Sequence, residues 1–196
     1  MPAQTKRTPG TDLLLARLRP YLARAPSRTM DVLACNLGGC GHITRTKPLP
    51  GIECWPAEQR NISRYVFCHP AARDLFAERD QVLGGCVARL RALAGIEPDA
   101  ADLTQLVNEL LTTSPELTRL WELYEVRPPA PTAKKINHPE AGTLALSFQS
   151  MQIEDTPRHR LVTYYADPGT RDHTAMVHLD RVNDEQSGEP VQPQLS

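Results

Sequence analysis

Through the middle of the chain the apolar residues recur every three or four positions, and toward both ends the period falls to two, which predicts helices flanked by strands. Thr11 or Asp12 caps a first helix with Leu14, Leu15, Leu18 and Leu22 on its apolar side, and Pro20 limits its length. Two strands follow, Tyr21 to Ala25 and Met30 to Asn36, joined by the turn Pro26-Ser27-Arg28-Thr29. Residues 37–56 are rich in Gly and Pro and keep neither period, so they read as a loop. Pro56 suits the start of a helix whose face, Ile62, Tyr65 and Val66, ends before His69-Pro70. Pro70 then opens the longest helix, with Leu75, Phe76, Val82, Leu83, Cys86, Leu90 and Leu93 on one side, Gly84-Gly85 as a bend or close contact, and Gly95 as its stop.

A further helix begins at Asp99 or Asp102 and buries Leu103, Leu106, Val107, Leu110 and Leu111. Ser114-Pro115-Glu116 is a second start signal, an N-cap followed by Pro at the first helical position, for a helix carrying Leu117, Leu120, Trp121 and Tyr124. Pro128 to Pro131 is an extended connector. Beyond it Lys134 to His138, Thr143 to Phe148 and Arg160 to Ala166 read as strands, the first two joined by a Pro139 to Gly142 hairpin loop. Strands from both ends of the chain joining one antiparallel sheet, with helices packed on one side, make an α+β arrangement, of PAS type or another α+β fold that the pattern alone does not separate from it. Residues 1–10 read as a flexible lead, 11–180 as the domain, and 181–196, which lack apolar content, as a disordered tail.

Composition changes this picture little. The 196 residues are 40% hydrophobic and carry a net charge of -1, so no global charge draws the chain to nucleic acid or a membrane. The balance is uneven, however: residues 1–60 hold nine Lys/Arg and four Asp/Glu, a basic part that faces DNA, a partner, or simply solvent. No apolar run reaches the roughly 18 residues of a membrane span, and the N-terminus lacks a secretory apolar core, so a cytoplasmic chain is expected. Five irregularly spaced cysteines fit reduced thiols better than a disulfide framework.

The block from Arg60 to Asp80, RNISRYVFCHPAARDLFAERD, resembles a segment of the MmyB-like ligand-binding domains of XRE-type bacterial transcription regulators. Met30 to Asn36 is similar to that family's DVLAWN strand, Thr113 to Trp121 to its SPEFRRLW helix, His138 to Leu144 to its HP hairpin, Arg160 to Tyr165 to its RLVVY strand, and Asp167-Pro168-Gly169 to the turn after it. The order and spacing of these pieces are more specific than any one of them. The resemblance implies a PAS-like sensor for a small effector, apolar or fatty-acid-like, held between sheet and helices. It also implies that DNA is reached only indirectly, because the helix-turn-helix that ordinarily precedes such a domain has no counterpart in the short lead. The alternative is a degenerate sensor that serves as an interaction or dimerisation module, pairing with itself or with a full-length regulator. Two departures from the family pattern, the 37–55 loop and Cys35 in place of Trp, fall beside the expected pocket.

Apolar pockets with a few polar groups make effector sites, so the inward aromatics Tyr65, Phe67, Phe76, Trp121, Tyr124, Phe148 and Tyr164 are the candidate ligand-binding residues, each also a candidate for plain core. Cys35, Cys40, His42 and Cys54 offer a weak metal alternative, since C-x4-C-x-H-x11-C lacks the two close pairs of a structural zinc site. Cys68-His69 suits a turn better than a nucleophile and its base, and His138 suits a hairpin. With no phosphate loop, GxSxG or HExxH pattern, neither catalysis nor a cofactor is expected.

Overall fold

A computed structural model describes residues 9–36, 49, 51–123, 133–154, 156 and 158–187. Strands β1 (Leu22–Pro26) and β2 (Val32–Cys35) pair near the N-terminus, and β3 (Ala133–His138), β4 (Gly142–Gln152) and β5 (Arg160–Tyr165) complete an antiparallel sheet in the order β2-β1-β5-β4-β3. β5 joins the two halves: Val162 lies opposite Arg24 of β1 and Ser150 of β4. The chain is therefore α+β, as the two periods predict.

Alternation along the strands sorts residues onto two faces. Leu22, Leu144, Leu146, Ile136, Val162 and Tyr164 enter the main core with the helices, whereas Ala23, Ala25, Ala34 and Leu161 form a small cluster on the other face. Helix α1 (Pro9–Arg17) covers that second face with Leu15. Its apolar side is narrower than the sequence suggests, since Leu14 is 48% exposed and Leu22 belongs to β1.

The main helical layer comprises α2 (Ile62–Cys68), α3 (Ala72–Leu75), α4 (Arg79–Ile96), α5 (Ala101–Thr113) and α6 (Pro115–Glu122). α2 starts six residues after Pro56 because Asn61, not Pro56, supplies the cap: its Oδ1 accepts from the amides of Ser63 and Arg64. The preceding residues make only single 3-10 turns at Ile52–Cys54 and Ala57–Gln59. Ser114 Oγ accepts from Leu117 N at 3.2 Å with Pro115 in the first turn of α6, the start signal read from the sequence.

One expected helix is two. In place of a continuous helix from Pro70 to Gly95, the chain extends at Phe76 (φ -103°, ψ 112°), where it bridges Ile136, and Ala77 N donates to Lys135 O at 3.1 Å. The edge of β3 satisfies these backbone groups while Phe76 is buried, and together these outweigh the helical bonds forgone. Helix α7 (Arg171–Ser187) is a second departure. It seats Met176 and Leu179 in the core, and Asp172 accepts from Ala145 N beyond the end of β5. The helix runs to Ser187, past the expected boundary at 180; residues 188–196 and most of the Gly/Pro loop lie outside the described residues. No described helix is long and apolar enough to cross a membrane.

Candidate functional site

Between α4 and the sheet lies a cleft of about 290 Å³. Strand register fixes its floor. Arg24, Val162 and Ser150 form one row across β1, β5 and β4; Tyr164 and Phe148 form the next, their ring centroids 5.8 Å apart, with Arg160 two residues before Val162 on the same face. Val82, Gly85, Cys86 and Arg89 recur at helical spacing and supply the roof from one side of α4. A Cβ built on Gly85 meets nothing within 4 Å, so the roof is open there.

Carbon and cations share the lining of the cleft, and the Arg24 guanidinium carbon lies 5.3 Å from the Tyr164 ring centroid. Val82, Phe148 and Tyr164 line the cleft with carbon, and Lys134 Nζ sits 5.2 Å from the Phe148 ring centroid. Arg24, Arg89 and Arg160 line it with guanidinium. Arg24 is only 7% exposed; its Nη2 donates to the Tyr164 hydroxyl at 2.8 Å, and its Nε has no partner. Arg160 Nε donates to Ser150 Oγ at 2.7 Å. Arg89 Nε is buried without a partner, and burial, then the neighbouring charges of Arg160 and Arg24, lower its pKa. Burial likewise raises the Cys86 thiol, against the pull of Lys134, Arg24 and Arg89. The carboxylate lining the cleft, Glu78, already pairs with Lys135 at 3.1 Å.

Of the aromatic candidates, Phe148 and Tyr164 line this cleft. Tyr65, Phe67 and Phe76 are buried in the main core, where the Tyr65 ring stacks on His69 at 4.8 Å. Trp121 packs beneath Arg91, whose guanidinium carbon lies 5.3 Å from its ring centroid. Tyr124 lies outside the described residues, as do Cys40 and His42. Cys35 is half-buried and Cys54 exposed, and among the described residues no three His, Cys, Asp or Glu side chains are grouped to hold a metal ion. His69 Nδ1 accepts from Ala71 N at 3.1 Å, a turn role, while the exposed Cys68 Sγ lies 3.7 Å from Thr113 Oγ1.

The three arginines of the cleft are not among the candidates named from the sequence, although strand parity marks two of them. Arg24 shares a face with Leu22, and Arg160 with Val162 and Tyr164, so a period-two count turns both inward. A charged side chain is ordinarily solvated, so that count carries little weight until the fold is known.

His138 anchors the β3-β4 hairpin at the far end of the sheet. Its Nδ1 accepts from the amides of Glu140 and Ala141, both at 3.2 Å, and Gly142 closes the turn at φ +71°. Burial lowers its pKa, against a weaker opposing pull from Glu140. The folded state therefore holds the proton less tightly than the unfolded chain. The hairpin's contribution to stability is complete above about pH 6.5, the ordinary histidine value, and is lost as pH falls from there through the lowered folded pKa. Urea midpoints measured between pH 8 and 5 should fall on acidification in the native protein, and His138→Asn, which keeps an acceptor for the two amides but does not titrate, should flatten that limb. Parallel limbs in the two proteins would assign the acid sensitivity to other groups.

A sheet roofed by helices, with a cleft between them lined by carbon and cations, is an α+β domain with room for a ligand. The chain belongs to the MmyB-like transcription regulator ligand binding domain family, whose model matches residues 8–179. No individual curated protein matches it. Family membership makes this a regulatory, ligand-sensing domain.

Proposed function

We propose that the cleft beneath α4 is the effector site, and that the chain works in the cytoplasm as the sensing part of a transcription regulator rather than as an enzyme. The observation that carries this reading is open volume between α4 and the sheet, floored by Phe148 and Tyr164, in a chain of this family. Its volume is at the lower end of the roughly 300–1,000 Å³ usual for ligand pockets, which favours a small effector with an apolar, medium-chain body over a long lipid. Occupancy would be felt through α4, which lines the cleft with Val82, Gly85, Cys86 and Arg89, by favouring one of two packings of that helix on the sheet.

Gly85 supplies the test. Gly85→Phe directs a ring into the open roof and should fill the cleft without meeting backbone. With a medium-chain alcohol and acid, decanol and decanoate, as probes, a ligand held at a hundred times its Kd stabilises the native protein by about 2.7 kcal/mol. For a domain of this size that is a rise in melting temperature of roughly 5–10 °C. The shift should vanish in Gly85→Phe. A native protein that shows no shift with either probe would favour the interaction-module reading, and a shift retained in the variant would place the ligand elsewhere.

A further inference from the structure

The arginines of the cleft ask for something that the described residues do not supply. Arg24 from β1, Arg89 from α4 and Arg160 from β5 line one cavity, and among the described residues none of the three is ion-paired with a carboxylate. Other arginines nearby, the buried Arg28 and the exposed Arg158, are treated differently. Arg28 holds Asp102 at 2.6 Å and Glu97 at 3.3 Å, and Arg158 holds Glu97 at 2.5 Å. Both line an adjoining groove that shares Arg89 and Arg160 with the main cleft. Arg28 and Arg158 are thus neutralised by acids. Gathering three like charges in a partly dry space without a counterion is costly, and a buried guanidinium nitrogen without a partner adds to that cost.

We propose that the cleft takes a small phosphate monoester, its head held by Arg24, Arg89 and Arg160 and its apolar body lying against Val82, Phe148 and Tyr164. This rests on the reading of the cleft as the effector site and deepens it. A single carboxylate would offset one of three cations, whereas a phosphate monoester carries close to two negative charges at neutral pH and three acceptor oxygens. A compact head is favoured over two separated carboxylates because the guanidiniums enter one cavity from three elements. Arg24, the most buried of them, keeps its free Nε there. Guanidinium forks pair with phosphate in bidentate geometry, and Ser150, which already orients Arg160, sets that fork in the floor.

The test holds the tail constant and varies the head. Hexyl phosphate, hexanoate and hexanol are titrated calorimetrically against the whole chain at pH 7.5, with inorganic phosphate as the tail-free probe. Hexyl phosphate should bind at least tenfold more tightly than hexanoate, and hexanoate more tightly than hexanol. Arg89→Gln should weaken hexyl phosphate binding by tenfold or more and leave hexanol within about twofold. The same variant without ligand should melt higher than the native protein, because it removes a repelled cation; an arginine with a merely structural role would melt lower on replacement. Arg24→Gln is the second variant, judged by the same ratio of phosphate to alcohol affinity. Equal affinity for all three heads, or an undiminished phosphate affinity in both variants, would overturn the proposal while leaving the effector site standing. Binding of none of the four probes would overturn both.

Discussion

Asn61→Ala should cost about 3–4 kcal/mol of folding stability, the largest loss expected from any single polar side chain here. The residue is fully buried and uses every hydrogen-bonding position of its amide. Its Nδ2 donates to Thr29 O and to Asp31 Oδ1, each at 2.8 Å, while its Oδ1 accepts from Ser63 N at 2.8 Å and Arg64 N at 3.2 Å. Removing it uncaps α2 and strips a partner from the Asp31 carboxylate, which is otherwise held by the hydroxyls of Ser27 and Thr29, both at 2.7 Å. The backbone repeats the tie, with Val32 N donating to Arg60 O and Ile62 N to Met30 O, so the substitution loosens the join between β2 and the helical layer. Chemical denaturation should show the midpoint falling with little change in slope. Asn61→Asp sharpens the test: it preserves the cap acceptor but sets two carboxylates together, so its deficit should be greatest at neutral pH and shrink as acid protonates one of the pair. A deficit under about 1 kcal/mol in Asn61→Ala would mean that water replaces the amide and that the four bonds do not act as a unit.

Leu110→Ala should be of similar size, about 3–5 kcal/mol. Leu110 is fully buried on α5, in a core that also contains Leu106, Leu117 and Val66, and its replacement leaves a void that neighbours on three helices cannot all close. Leu14→Ala is the control: a leucine 48% exposed on α1 should cost well under 1 kcal/mol. Comparable losses at the two positions, measured by urea unfolding, would contradict the placement of α5 at the centre of the core.

Much of this architecture is legible from local pattern. The Ser114-Pro115 start, the stripe from Leu103 to Leu110 and the strand periods on either side of the helices each carry their own physical cause, and each stands in the fold at the expected place. The failures come where a distant element decides. Phe76 leaves a helical pattern because the edge of β3 is there to receive it, and nothing within Ala72 to Arg79 announces that edge. α7 has few apolar residues, chiefly Ala175, Met176 and Leu179, and only the sheet it covers makes so thin a stripe sufficient. The cleft was half legible. Phe148 and Tyr164 could be named as inward aromatics, but Tyr65, Phe67 and Phe76 look the same in sequence and fill core, since packing and ligand contact ask for the same side chains.

The row of Arg24, Val162 and Ser150 beside the row of Tyr164 and Phe148 gives the cleft a direction. The Tyr164 hydroxyl stands on the boundary between the rows. It accepts from Arg24 and so keeps its own hydrogen for an occupant on the polar side, while its ring faces Phe148 on the other. An amphipathic molecule laid in backwards would press its tail among three guanidiniums and leave its head the single ammonium of Lys134 beside Phe148. In the site proposed above, the pairing of two neighbouring strands would thus select the orientation of a guest as well as its chemistry, and the same part of each guest would meet α4.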